Sequence, residues 1–314
     1  MTGLRLLPIF LLVAASIQAQ QLSLFTQYRE NATLINPAAM ESDFLAFGQN
    51  LSFGANYRAQ WVGLNNAPTT STIRGSYLNK DMSGVAIMAG GHIINDQTGP
   101  TGFTGLYGRI GGVLSGDPEY SGFAVGLSVG YVQFRVDASE VRLREDNDIL
   151  GDQNQNQWHP DVGLGLFYYT TVGDQDYFYG GVSVPQILGL DLSFQDQNGE
   201  YFVQRVRHFY GLLGFYKFFG NDSFLEPSMW VKYAPNVPIN VDINLRYQLP
   251  GGLWVGAGGS SASTMHGEVG FLIGRDAGLD NLVKVGYGYD YSFSSFGPTV
   301  GSTHEINVSI SLDR

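Results

Sequence analysis

The chain has 314 residues, no cysteine, 42 glycines, 18 tyrosines, 20 phenylalanines and only 14% charged side chains. With 44% hydrophobic residues it is too apolar for a disordered chain, yet no run of about 18 apolar residues offers a transmembrane helix. Seventeen bases against 28 acids leave a net charge of −11, which argues against nucleic-acid binding because phosphate contacts need basic clusters.

Arg5 precedes an apolar stretch from Leu6 to Ile17, broken only by Pro8 and Ser16, and Ser16-Ile17-Gln18-Ala19 ends in a small-x-small signal. This stretch is too short to span a bilayer, so residues 1–19 are expected to be a secretory signal peptide cut after Ala19. The mature chain, at net charge −12, would have neither a lipid-anchoring cysteine nor a disulfide, so a core or a closed sheet must hold it together. Residues 20–45 are too long for a simple leader to the first strand. They are expected to form an N-terminal segment along a periplasmic mouth or inside a lumen.

From residue 46 onward the pattern has period two. In Phe123 to Tyr131, Phe123, Val125, Leu127, Val129 and Tyr131 alternate with Ala124, Gly126, Ser128 and Gly130; Val162 to Tyr168 does much the same. Ile239, Val241, Ile243, Leu245 and Tyr247 share one face, with Asn240, Asp242, Asn244 and Arg246 on the other. Val283 to Tyr291 and Ile306 to Leu312 repeat the alternation. Strict alternation marks strands with one apolar face. Turn signals divide the chain into 14 predicted strands: 46–60, 69–79, 83–94, 100–114, 120–137, 159–170, 175–188, 205–218, 223–235, 238–249, 251–262, 264–276, 279–293 and 302–313. Short connectors such as Asn221-Asp222 and Pro250-Gly251-Gly252 alternate with longer ones, above all Asp137 to Trp158 and Gly189 to Tyr201.

A soluble β-sandwich or propeller would bury the apolar face; an outer-membrane barrel turns it to lipid and encloses the polar, glycine-rich face. Predicted strands of roughly 10–12 residues suit a tilted membrane crossing better than the ~5–6 of soluble strands. Aromatics near strand ends, as in Tyr168-Tyr169, Tyr177-Phe178-Tyr179 and Phe215 to Phe219, suggest an interfacial girdle. Arg246 or Lys284 facing lipid at mid-bilayer would cost ~2–4 kcal/mol each, so their faces must point inward. The expected fold is all-β: a transmembrane antiparallel barrel of about 14 strands, residues 46–314, whose even strand count puts both termini on the periplasmic side.

Chemical motifs are weak. The histidines His92, His159, His208, His266 and His304 are scattered without a metal-ligand spacing, and no catalytic, cofactor or metal site is expected. Asp146 to Asp152 echoes a calcium loop, but Leu150 stands where an oxygen ligand belongs, so a solvated acidic loop is the better reading. Ser263 near His266 leaves a barrel hydrolase as a third functional option, behind a protein-binding barrel and a porin or hydrophobic-solute transporter.

Several stretches together resemble the PorP/SprF family of the type IX secretion system of Bacteroidota. They begin with Gln27-Tyr28, then Asn36-Pro37 within Leu34 to Ala39, and Tyr57-Arg58-Ala59-Gln60-Trp61-Val62-Gly63 with Ala67-Pro68. Pro160-Asp161, Glu226-Pro227-Ser228, Asp242 within Pro238 to Asn244, Leu253-Trp254 and Gly301 to Ile306 with His304-Glu305 follow in the family's order. The resemblance implies a non-enzymatic outer-membrane barrel that supports secretion or surface anchoring of exported proteins, including gliding adhesins, without a cofactor. It implies contact with outer-membrane lipid and with secretion-machinery components or the C-terminal domain of a secreted substrate. The motif positions either build the rim or touch a partner. Asn36-Pro37 is expected to set a turn, since proline biases its predecessor away from helix.

Overall fold

The computed structural model describes residues 24–81, 84–136, 155–188, 191–196, 199–204, 206–274, 278–294 and 297–314. The predicted signal peptide, the acidic loop at 146–152 and most of the connector 137–158 lie outside the described residues.

Two short helices, α1 (Ala32–Ile35) and α2 (Ser42–Phe47), precede the sheet. The first seven strands are β1 (Leu51–Ala59), β2 (Thr69–Leu78), β3 (Gly84–Thr98), β4 (Thr101–Ser115), β5 (Ser121–Val136), β6 (Gln155–Val172) and β7 (Asp176–Val184). A separate hairpin, β8 (Asp191–Asp196) and β9 (Gly199–Gln204), stands within the connector predicted as a plain loop. Then come β10 (Phe209–Phe218), β11 (Phe224–Tyr233), β12 (Asn240–Gln248), β13 (Leu253–Ser260), β14 (Thr264–Ile273) and β15 (Leu282–Ser292). A helical turn, α3 (Gly297–Val300), leads into β16 (Thr303–Leu312).

Fourteen of these strands form a closed antiparallel barrel, in which β16 returns to pair with β1 from Leu51↔Leu312 to Ala59↔His304. The 14 predicted strands are these 14, with shifted ends. The first begins at residue 51 rather than 46, because α2 occupies 42–47 and Gly48, at φ +70°, ends it by donating its N–H to the Phe44 carbonyl at 2.9 Å. Closure leaves no edge whose amides lipid could not satisfy.

Burial runs opposite to that of a soluble sheet. On β12 Ile243 is 59% exposed while Arg246 is 2%, and on β16 Ile306, Val308 and Ile310 face out while Glu305, Asn307, Ser309 and Ser311 are buried. Arg246 and Lys284 point inward, as the lipid cost requires. The aromatic girdle needs correction. Consecutive residues of a strand alternate sides, so Tyr168 faces out while Tyr169, Tyr179 and Tyr216 turn in and pack with Phe167 and Phe224.

The turns 116–120, 173–175, 219–223 and 249–252 gather at the end where β1 begins and β16 finishes; the longer connector 60–68 lies at the other. Short turns mark the periplasmic end of such barrels, and long loops the outer end. Turn 249–252 is held tight by Gly252, at φ +90°, where a Cβ would strike the Leu272 carbonyl. Strands β3 to β6 have 15, 15, 16 and 18 residues, beyond the ~9–11 that a membrane crossing needs, so one side of the wall rises above the bilayer.

Candidate functional site in the barrel lumen

Residues 24–50 run down the inside of the barrel from its long-loop end to its short-turn end. The even strand count therefore does not keep the first described residues on the periplasmic side, because the segment ahead of β1 doubles back through the lumen. At the outer end the Thr26 and Gln27 amides donate to the two Glu305 carboxylate oxygens at 2.7 and 3.0 Å. Arg58 reaches Glu305 at 3.3 Å and Asp290 at 2.7 Å, and also donates to the Thr26 hydroxyl. Asn56 completes the cluster on Glu305 at 2.9 Å.

One turn further in, Arg29 lies between Glu226 at 3.1 Å and Glu268 at 2.7 Å. The Tyr28 hydroxyl bonds Ser228 at 2.8 Å and its ring leans on Trp230. Glu30 takes the opposite sign of partner, Arg246 at 2.6 Å and Lys284 at 2.5 Å. Lower down, Asp43 shares Lys284 and Glu41 faces Arg74. The segment thus reads plus at 29 and minus at 30, 41 and 43, and the wall answers each sign. Breaking a buried pair costs ~3–5 kcal/mol because the remaining charge is stranded.

The irregular backbone between α1 and α2 is satisfied by the wall, since no bulk water reaches it. The Asn36 amide nitrogen donates to the Leu166 and Val182 carbonyls at 3.0 and 3.4 Å, while its Oδ1 accepts from Ala38 N–H. Arg109 donates to the Pro37 and Ala39 carbonyls at 3.1 and 2.9 Å. This approach requires glycine at 126 and 165: a Cβ there would overlap the Pro37 carbonyl and Asn36 Oδ1. Beneath, α2 anchors the segment with Phe44 edge-on to Tyr169 and Phe47 against Phe224.

The motif positions therefore separate. Asn36, Pro37, Arg58 and Glu305 belong to the lumenal contacts just described. Asp161 accepts from the Tyr107 hydroxyl at 2.8 Å, Asp242 pairs with Lys232, and the Trp254 ring lies under the Arg246 guanidinium at 4.2 Å. Gln60, Trp61, Gly63 and Pro68 form the outer rim, stitched to the segment before β16 by Val62 N–H to Ser302 and Gly63 N–H to Val300. Tyr57, Pro227 and His304 face outward; His304 bonds the Tyr287 hydroxyl at 2.6 Å. Pro227 has no N–H to give, and the β10–β11 ladder is interrupted there while its register is kept. Arg29, Glu30, Glu41 and Asp43 were missed. Their signal was the set of charges ahead of β1, matched to charges on inward strand positions.

Among the described residues the lumen keeps a recess of about 490 Å³ at the outer mouth beside Leu24, Arg58, Lys232 and Asp290, and another of about 480 Å³ under α2. Gln27, Tyr28, Ala38 and Ala39 lie fully buried between them. Among the described residues no group of three or more His, Asp or Glu is placed to hold a metal. His266 Nε2 is engaged by the Asn244 amide at 2.8 Å, and Ser263 is a turn residue at φ +61°.

The profile of a family described as "Type IX secretion system membrane protein PorP/SprF" matches residues 17–310. No curated protein matches the chain. Among solved structures it is similar to the toluene transporter TodX of P. putida, with 11% identity, a TM-score of 0.51, and 90% of this chain and 93% of that one covered. A "TodX deltaS2S3 mutant monoaromatic hydrocarbon channel" gives 12%, 0.52, and 90% and 94%. The "CymD monoaromatic hydrocarbon channel" gives 10%, 0.50, and 88% and 94%. At such identities the likeness concerns the barrel fold.

Proposed function

Since the chain belongs to the PorP/SprF family of type IX secretion system membrane proteins, we propose that this outer-membrane barrel is a non-enzymatic secretion component. In this reading it supports the export or surface anchoring of other proteins, including gliding adhesins, through protein contacts rather than through an open pore. The observation that carries the reading is the lumenal segment, hydrogen-bonded and ion-paired to the wall from Thr26 to Asp43. A barrel filled in this way is suited to scaffolding, and its exposed chemistry lies at the two mouths. The partners expected are components of the secretion machinery or the C-terminal domain of a secreted substrate, meeting the rim at Gln60 to Pro68 or the periplasmic turns. Gentle solubilisation from outer membranes followed by mass spectrometry tests this: a secretion component or exported protein should co-purify, and the purified barrel should conduct little in planar bilayers. Large steady conductance with no associated protein would overturn it.

Passage of a hydrophobic solute is the second reading, motivated by the TodX-like fold and the partly apolar outer recess. It requires saturable binding of a monoaromatic hydrocarbon to the purified barrel.

A further inference from the structure

The outer-mouth cavity, about 490 Å³, falls within the ~300–1,000 Å³ typical of small-molecule sites. Strands β10 to β16 and β1 contribute to it in unbroken succession, with Leu24 to Thr26 of the lumenal segment closing it. Its lining divides by chemistry. Two ion pairs line it, Arg58 with Asp290 at 2.7 Å and Lys232 with Asp242 at 2.5 Å, with side chains only 7–13% exposed. Arg58 also meets Glu305 at 3.3 Å, so the two cations face three carboxylates and offer no excess positive charge to an anion.

Toward β13 to β16 the lining is hydroxylic, with Ser260, Ser261, Thr264, Ser292 and Thr303. The Ser261 oxygen accepts Val241 N–H at 2.9 Å and so keeps its own proton for a ligand. Toward β10 and β11 the lining carries apolar surface from Tyr210, Ala234 and Val237, joined by Phe25, around Lys232 and His208. Trp61 stands at the rim in a left-handed backbone conformation, φ +56°, its N–H directed at the Thr303 hydroxyl at 3.4 Å. A non-glycine residue held there is strained, and such strain gathers at ligand clamps.

We infer that this cavity is a binding site for a neutral sugar unit. A pyranose ring has an apolar C–H face to lay on aromatic and aliphatic side chains and a hydroxyl edge that both donates and accepts. That combination matches a lining of Phe25, Tyr210 and Val237 toward β10 and β11 and of Ser261, Thr264 and Ser292 toward β13 to β15, with Trp61 at the rim beside Thr303. A hydrocarbon would cover the Ser261 hydroxyl without giving its proton an acceptor. A phosphate would meet Asp242 and Asp290, and an ammonium would meet Arg58 and Lys232.

The test uses the full barrel in nanodiscs, titrated calorimetrically with methyl glucoside, methyl galactoside, methyl mannoside, N-acetylglucosamine and their short oligomers. Glucose 6-phosphate, glucosamine and toluene serve as comparators. One neutral series should bind, its charged counterparts at least about tenfold more weakly, and Trp61→Ala and Asp242→Asn should each weaken it by about tenfold or more. Trp61 lies on the rim connector between β1 and β2, outside the barrel ladder, so the Trp61→Ala arm remains informative even if Asp242→Asn fails to fold. Binding of soluble glycosides marks a free or protein-borne sugar, and binding of only the same sugar on a glycolipid marks a membrane-borne one; both support the site. The inference fails if no sugar binds, if neither substitution weakens binding, or if toluene or the phosphate is preferred.

Discussion

Arg29 between Glu226 and Glu268 is a buried cation held by two wall carboxylates, both fully enclosed. Arg29→Met removes the charge that lets two carboxylates share one pocket, and a loss of ~3–5 kcal/mol is expected. The readout is the temperature at which the folded, fast-migrating band converts on a detergent gel, which should fall. Adding Glu226→Gln should recover part of the loss, since one stranded charge is then neutral. At the opposite wall, Gly165→Leu places a side chain where Asn36 Oδ1 now sits. The segment must lift away there, so protease cleavage between residues 24 and 47 should rise several-fold while the barrel itself remains resistant.

At the scale of elements, the lumenal segment is held by side-chain ion pairs, by Asn36 and Arg109 on main-chain carbonyls, and by the aromatic seat of α2. It contributes no strand to the barrel ladder, so removing it leaves the hydrogen-bonded wall complete. Deleting residues 24–47 is therefore expected to give a barrel that still inserts but melts at lower temperature. In planar bilayers it should show conductance steps that the intact chain lacks; silence from the deletion would mean that something other than the segment closes the lumen. The long strands β3 to β6 raise an extended wall on one side of the outer mouth, whereas the cavity lies along β10 to β16 and β1.

For the whole molecule, the direction of the lumenal segment has a consequence at the cell surface. With short turns in the periplasm, Leu24 lies at the outer mouth and Gln49 at the inner one. A Leu24→Cys protein should react with a membrane-impermeant maleimide on intact cells, and Gln49→Cys should react only after the outer membrane is opened. Labelling of Gln49→Cys but not of Leu24→Cys in intact cells would reverse the orientation. Wall architecture was legible because period-two alternation carries its own face assignment: Ile243 and Leu245 lie on the opposite face from Asn244 and Arg246 whatever the rest of the chain does. The cost of a cation in hydrocarbon then selects which face is inside. The lumenal contacts were not legible in that way. Arg29 is 197 residues before Glu226 and 239 before Glu268, and no local pattern encodes which carboxylates a cation ahead of β1 will meet. By itself the sequence determined the 14 strands of the wall and which residues of a strand share a face, because these follow from spacing along one strand. Only the tertiary structure decided that the N-terminal segment fills the barrel and that Arg58, Asp290 and Glu305 meet around Thr26, because such contacts exist only once closure has brought distant strands around a common interior.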